Sequence, residues 1–168
     1  FSKDLARKKV SEFLLSVKTV DCLKVLSEFE SVLCLECSGL CSHSNFLNAE
    51  CHLVEASHAA LDCARRNVTD ARARFFWADA TVFEPEERYD AIISNPPFHT
   101  GRAAEPALGQ AFIANAARLL KPAGQLWLVA NRHLPYETPL NEAFASLTEV
   151  AGDNRFKILH AARPRRSR

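Results

Sequence analysis

The sequence predicts a three-layer α/β fold, in which helices cover both faces of a mostly parallel sheet. Short apolar runs alternate with stretches of helical periodicity, a pattern typical of parallel strands joined by helices. The breaker Lys121-Pro122-Ala123-Gly124 separates the longest of the later helical stretches from the apolar run that follows it. Residues 151–154 form a tight-turn sequence between the last two apolar runs. An antiparallel hairpin is therefore expected to close the sheet.

The individual elements follow from apolar spacing and from turn and capping residues. Helices are expected at residues 9–29, at 57–67 with Ser57 as the N-cap, and at 104–120, with room for a short one at 41–48. Seven strands are expected, at residues 31–36, 51–55, 73–77, 89–94, 125–130, 147–150 and 155–162. With neither repeats nor a low-complexity linker, residues 1–168 are expected to form one domain.

Length and composition narrow the class of protein. A chain of 168 residues is long enough to bury a core. No apolar stretch reaches the roughly 18 residues that a membrane span needs, and the charged start lacks a signal-peptide core. We therefore expect a cytoplasmic protein without a membrane partner. The chain begins with Phe1 and contains no Met, which suggests a fragment whose additional domain lies outside it.

Six cysteines lie in the first part of the chain: Cys22, Cys34, Cys37, Cys41, Cys51 and Cys63. The spacing of Cys34, Cys37 and Cys41 is open to a zinc or iron–sulfur interpretation, which needs four ligands converging from turns. Because Cys34 lies inside an apolar run, we favour a structural role as a small hydrophobic residue. The six histidines have no metal-ligand spacing, so no metal is expected.

The strongest chemical signal is the stretch Ser94-Asn95-Pro96-Pro97-Phe98 after a buried strand. Such a strand delivers Asn95 to the carboxyl edge of the sheet, where open α/β folds bind ligands. The Asn95 side-chain oxygen and the Pro96 carbonyl can accept the two hydrogens of an exocyclic amine, and Phe98 can stack on its base. The alternative is an ordinary proline-rich turn. We favour a site for an amine on a nucleic-acid base.

These residues carry a resemblance to a known family. The stretch Ile92 to His99, with Gly101, Leu134-Pro135-Tyr136 and Arg155-Phe156-Lys157, resembles the C-terminal catalytic domain of small-subunit ribosomal RNA guanine-N2 methyltransferases. The resemblance implies a Rossmann-like class I methyltransferase fold and S-adenosylmethionine as cofactor. It also implies ribosomal RNA or the small ribosomal subunit as partner. Residues 1–30 would then form an N-terminal helical region, 31–80 the cofactor half and 81–168 the substrate half.

The resemblance also implies roles for individual residues. Glu55, with Ala56, stands where the family binds the cofactor's ribose, and Asp79, with Ala80, where it contacts the adenine amine. Both acids have a plain alternative as solvated residues at strand ends. The catalytic set would be Asn95, Pro96, Pro97 and Phe98. Other cofactor contacts would come from Glu36, Gly39 and Asn95, and substrate contacts from Phe98, His99, Arg102, Arg132 and Tyr136.

The expected glycine-rich cofactor loop departs from the family pattern. Glu36, Ser38 and Leu40 stand where the closely spaced glycines belong, and only Gly39 remains. This motivates an alternative function, a methyltransferase-like module with weakened cofactor binding that binds RNA or a protein. A further alternative is methylation of another amine, on adenine or on a protein glutamine. The arginines near the C-terminus are open to two interpretations, a phosphate grip or a solvated tail.

Overall fold

The computed structural model describes residues 30–35, 50–96 and 106–166. Within these ranges the strands are β1 (Ser31–Leu35), β2 (Glu50–Glu55), β3 (Ala73–Trp77), β4 (Tyr89–Ser94), β5 (Leu120–Asn131), β6 (Phe144–Gly152) and β7 (Phe156–Pro164). The helices are α1 (His58–Asn67), α2 (Pro106–Leu119) and α3 (Glu137–Ala143). The predicted seven-stranded sheet is confirmed.

The strand order is β3-β2-β1-β4-β5-β7-β6. The direction in which successive strands are added to the sheet reverses between β1 and β4, near the centre. β1 pairs in parallel with β2 on one side and with β4 on the other. β5 continues the parallel set, whereas β7 is antiparallel to both β5 and β6. The carboxyl ends of the five parallel strands therefore share one edge, and the switch point between β1 and β4, where open α/β folds bind ligands, lies at that edge.

Each face of the sheet has its own apolar core. In β1, Leu33 and Leu35 pack into the cluster that includes residues of α2, while Val32 and Cys34 pack into the cluster that includes α1. All four side chains are at most 1 % exposed. Side chains alternate between the faces of a strand, so a run that is apolar at every position is buried on both sides. This explains the three layers.

Helix α1 begins as predicted. The Ser57 hydroxyl accepts a hydrogen bond from the Ala60 amide at 3.4 Å, which satisfies one of the free amides of the first turn. Ala60, Leu61 and Ala64 are its buried residues, and Ala64 packs into the same core cluster as Val32. The helix therefore starts directly behind the last residues of β2.

Three parts of the C-terminal half differ from the sequence prediction. Helix α2 stops before the breaker at Lys121-Pro122-Ala123-Gly124, but these residues belong to β5 instead of a loop. The pairing jumps from Tyr89–Leu120 to Ala91–Gln125, and this irregularity accommodates the proline and the glycine. Helix α3 was not predicted, and β6 and β7 are longer than expected.

Several expectations fall outside the described residues. These are the helices at 9–29 and 41–48 and the cysteines Cys22, Cys37 and Cys41. Cys34 and Cys51 are buried, and their sulfur atoms lie 3.9 Å apart. In the parts of the chain that are described, no group of three or more metal-ligating side chains occurs. Among the same residues, no helix is both long enough and apolar enough to span a membrane.

Candidate functional site

The described part of the candidate site lies at the carboxyl edge of the parallel strands. Asn95 and Pro96 follow β4 directly, and Pro96 is buried while Asn95 is half-buried. The Asn95 amide donates to the Leu35 carbonyl at 3.3 Å, which ties the residue after β4 to the last residue of β1. The predicted position of Asn95 at this edge is confirmed, whereas its catalytic role stays a prediction.

Glu55, the last residue of β2, is 2 % exposed. Its Oε1 atom accepts a hydrogen bond from the Ser57 amide at 3.0 Å. Its Oε2 atom is buried and has no hydrogen-bond partner among the described residues. An unsatisfied buried carboxylate oxygen is costly, so such an atom calls for a donor. A ribose hydroxyl would supply one, and the residues present therefore fit an adenosine-bearing cofactor.

The connection after β3 is held in place by its own side chains and by α2. Asp79 Oδ1 accepts from the Thr81 amide at 2.8 Å and from the Thr81 hydroxyl at 2.7 Å. The buried Asn115 of α2 donates from Nδ2 to the Ala80 carbonyl at 2.7 Å. Asp79 and Ala80 follow the carboxyl end of β3, as expected, with Asp79 exposed and Ala80 buried. The contact of Asp79 with adenine stays a prediction.

Ser94 and Trp77 are candidate site residues that the sequence analysis missed. Ser94, the last residue of β4, is 1 % exposed and its hydroxyl has no partner in the described ranges. Trp77, the last residue of β3, is 67 % exposed, and its indole nitrogen donates to the Ala56 carbonyl at 3.0 Å. Their position at strand ends was the available signal, because the carboxyl ends of parallel strands meet at one edge.

Arg132 lies just beyond β5 and is held by acceptors of the hairpin. Its guanidinium donates to Glu149 Oε1 at 2.7 Å and to the Asp153 carbonyl. The hydrogen bond to Glu149 raises the pKa of Arg132 and lowers the pKa of Glu149. Arg132 remains partly exposed, so its predicted RNA contact is compatible with these bonds but stays a prediction.

The predicted substrate contact of Tyr136 is wrong. Tyr136 is 1 % exposed and belongs to the core cluster beneath α2. A Cβ atom on Gly109 would lie 2.1 Å from the Tyr136 hydroxyl, so α2 passes directly over the ring. Burial raises the pKa of Tyr136. The side chain packs α2 and the segment before α3 together instead of facing a substrate.

Six predicted site residues lie outside the described ranges: Glu36, Gly39, Pro97, Phe98, His99 and Arg102. Arg165 and Arg166, which follow β7, do not form a free tail. Arg165 donates from Nε to the Phe144 carbonyl at 2.9 Å, and Arg166 donates to the Leu120 carbonyl at 2.5 Å. Arg166 also reaches the Arg118 carbonyl at 3.5 Å. It thus caps carbonyls at the end of α2, where a positive charge is favourable.

Comparison with known proteins shows which family the chain belongs to. Residues 35–160 match the model of the methyltransferase small domain. A ribosomal RNA large subunit methyltransferase G of Shewanella amazonensis is 34% identical over 145 residues, which are 80% of this chain and 38% of that protein. Its counterpart in Streptomyces coelicolor is 36% identical over 99 residues, 59% of this chain and 26% of that protein. The chain thus spans about two fifths of the length of the Shewanella relative.

Solved structures agree with this match. A T. thermophilus 16S rRNA N2 methyltransferase, solved with AdoMet and guanosine, has 29% identity and a TM-score of 0.67. The alignment covers 79% of this chain and 37% of that chain. The N-methyltransferase NodS of Bradyrhizobium japonicum has the same TM-score of 0.67 at 15% identity, with 86% and 94% covered. This second likeness shows the fold alone, that of a class I methyltransferase.

Proposed function

Because this chain belongs to the methyltransferase small domain family of S-adenosylmethionine-dependent rRNA methyltransferases, we propose that it methylates the exocyclic N2 amine of a guanine in ribosomal RNA. The observation that carries the proposal is the juxtaposition at the sheet edge. Glu55 ends β2 with a buried oxygen that has no partner among the described residues, and Asn95 leaves β4 bonded to the end of the intervening strand β1. Only β1 separates the strands that end at these two residues, which supports a cofactor site beside an amine site.

The chain's own residues supply positioning. When bound, S-adenosylmethionine supplies an activated methyl group, so the amine needs orientation more than a strong base. The Asn95 side-chain oxygen and the Pro96 carbonyl accept the two amine hydrogens and aim the nitrogen lone pair. Holding the reacting groups in line lowers the entropic part of the barrier. Acceptors that are fixed beforehand also stabilise the positive charge that develops on the amine.

The target subunit is part of the proposal. The motif around Asn95 led us to expect the small subunit, and the T. thermophilus structure, whose name specifies 16S rRNA, supports that choice. The curated relatives carry large-subunit names, which supports the large subunit as the target. We therefore propose the guanine amine as the target atom and let the RNA be identified by the test below.

The test is methyl transfer by the full-length protein. Purified 16S and 23S rRNA are incubated separately with labelled S-adenosylmethionine, and the modified nucleosides are identified after digestion. We expect N2-methylguanosine from one of the two RNAs. Methylated adenosine as the product would overturn the guanine assignment. A failure to bind S-adenosylmethionine calorimetrically would favour an RNA- or protein-binding module instead.

Asn95→Ala tests the assigned role. We expect the single-turnover rate to fall by roughly a hundredfold, the usual cost of removing one group that stabilises developing charge. RNA affinity should change by less than about threefold, because phosphate contacts dominate such affinities. Asn154→Ala, an exposed asparagine in the hairpin turn, is the matched control and should leave the rate unchanged. An unchanged rate in Asn95→Ala would contradict the proposal.

A further inference from the structure

Trp77 and Glu55 are partners across the sheet. They are the last residues of β3 and β2, and their Cα atoms are in register. Two residues earlier, Phe75 and Leu53 pack together in the core cluster that includes Ala64 of α1. Because side chains at every second position share a face, Glu55 and Trp77 also point to the side of α1. The indole therefore stands beside the proposed ribose acid.

The indole is held by contacts to the turn that follows Glu55. Its Nε1 atom donates to the Ala56 carbonyl at 3.0 Å, although the ring is 67 % exposed. The ring also meets His58 edge-on, with centroids 5.2 Å apart and an interplanar angle of 85°. His58 Nδ1 in turn lies 3.2 Å from Asp62 Oδ2 within α1. Trp77 is thus clamped between the turn and the first residue of the helix.

The same turn determines which Glu55 oxygen is free. The Ser57 amide occupies Oε1 at 3.0 Å, and Oε2 is left without a partner in the described part of the chain. Ala56 lies between these two residues, so the orientation of its peptide groups fixes the direction of the carboxylate. A carbonyl bonded to a side chain on the neighbouring strand cannot rotate freely.

We propose that Trp77 is a positioning residue, which holds the turn Glu55-Ala56-Ser57 so that Glu55 Oε2 faces the ribose hydroxyls of the cofactor. This inference rests on the proposed function. The hydrogen bond from Trp77 to the Ala56 carbonyl fixes the turn before the cofactor binds. Binding therefore does not carry the entropic cost of ordering the turn. An indole that is mostly in water contributes little apolar burial, so its removal should leave folding almost unchanged.

The first experiment measures affinity of the full-length protein for S-adenosylhomocysteine by calorimetry. Trp77→Phe keeps an aromatic ring and removes the hydrogen-bond donor. We expect Kd to rise about three- to tenfold, which corresponds to the net free energy of one hydrogen bond. His58→Ala, which removes the edge contact and leaves the indole hydrogen bond in place, should raise Kd less. Val82→Ala is the matched control, since Val82 is also 67 % exposed and close in sequence, and it should leave Kd unchanged.

The second experiment asks whether Trp77 acts through Glu55. In the Glu55→Gln background the penalty of Trp77→Phe should shrink to less than about twofold, because coupled residues are not additive. In turnover, Trp77→Phe should raise the KM for S-adenosylmethionine while kcat stays unchanged. Additive penalties, or a wild-type Kd in Trp77→Phe, would overturn this inference alone. Failure of the wild-type protein to bind S-adenosylhomocysteine would overturn the proposed function as well.

Discussion

At the residue scale, Glu55 combines a buried position with an oxygen that finds no donor in the described ranges. We predict that Glu55→Gln raises the Kd for S-adenosylmethionine by roughly 10- to 100-fold, since hydrogen bonds to a charged group are the stronger ones. The free energy of unfolding should not fall, because the variant removes a buried charge. Glu50→Gln, at the other end of β2, is the control and should leave Kd as in the wild type. Calorimetry and chemical denaturation measure the two quantities.

A second residue-scale prediction concerns the close approach of Gly109 and Tyr136. Gly109→Ala would place a Cβ atom 2.1 Å from the Tyr136 hydroxyl, so α2 must shift, at a cost of about 1–3 kcal/mol. Tyr136→Phe should be nearly neutral, because the hydroxyl has no partner among the described residues. Thermal unfolding checks both variants. Equal stability of Gly109→Ala and the wild type would contradict the packing role assigned to Tyr136.

The contrast between Glu55 and Tyr136 shows what the sequence alone predicts about single residues. Glu55 was located correctly because a strand end is a local property, read from the apolar run before it. Tyr136 was misassigned because its neighbour Gly109 lies 27 positions away, and no local pattern predicts that α2 covers the ring. The strand-end position of Trp77 could have been predicted in the same way as that of Glu55, whereas its bond to Ala56 could not, because Ala56 belongs to another strand connection.

At the element scale, the pairing of β5 with β7 includes a titratable contact. Trp127 and His160 are register partners whose rings stack at 4.2 Å, and His160 Nε2 lies 2.8 Å from Gln125 Oε1. Burial lowers the pKa of His160 below its usual 6.5. The unfolded chain therefore takes up a proton before the folded chain does. The neutral, buried His160 ring therefore contributes fully to the free energy of unfolding above pH 6.5. This contribution is lost as the pH falls toward the pKa of His160 in the folded chain.

We predict that His160→Phe loses less stability than the wild type between pH 7.5 and pH 5.5. Phenylalanine keeps the ring against Trp127 but does not titrate. The measurement is chemical denaturation at both pH values, and the relevant quantity is the difference between the two proteins. His58→Phe is the control, because the His58 side chain is exposed and lies outside this contact. Identical pH slopes for His160→Phe and the wild type would rule out this role of His160.

The same scale shows where element prediction succeeds. β3 and β4 have the predicted bounds, and β1 and β2 differ by one residue. For β1 the reason is that a strand buried on both faces is a continuous apolar run. Helix α3 was missed because its seven residues are too few for a helical period and include Pro139. The sequence predicted correctly that α2 ends before Pro122. The extended course of residues 121–124 depends on the pairing of β5 with β4, which is a tertiary property.

At the scale of the whole molecule, a buried lysine joins the C-terminal hairpin to the segment that leaves the parallel sheet. Lys157 of β7 has a side chain that is 4 % exposed, and its Nζ donates to Glu137 Oε1 at 2.6 Å and to the Leu134 carbonyl at 2.7 Å. Lys121 also pairs with an acid, Asp90, at 2.9 Å, but its side chain is 40 % exposed. The two lysines therefore allow a buried ammonium, which bonds a carboxylate and a carbonyl, to be compared with a more exposed one that bonds a carboxylate alone.

We predict that Lys157→Met lowers the free energy of unfolding by about 1–3 kcal/mol, since the Leu134 carbonyl keeps only its bond from the Tyr136 amide and Glu137 loses the ammonium of Lys157. Lys121→Met should cost less than about 1 kcal/mol, the usual value of an exposed ion pair. Because Lys157 connects β7 to the segment after β5, which starts at the carboxyl edge of the sheet, its loss should also weaken RNA methylation without changing the Kd for S-adenosylmethionine. Urea denaturation and single-turnover assays separate these effects. Equal losses of stability in the two variants would show that burial of the ammonium is not what makes the contact matter.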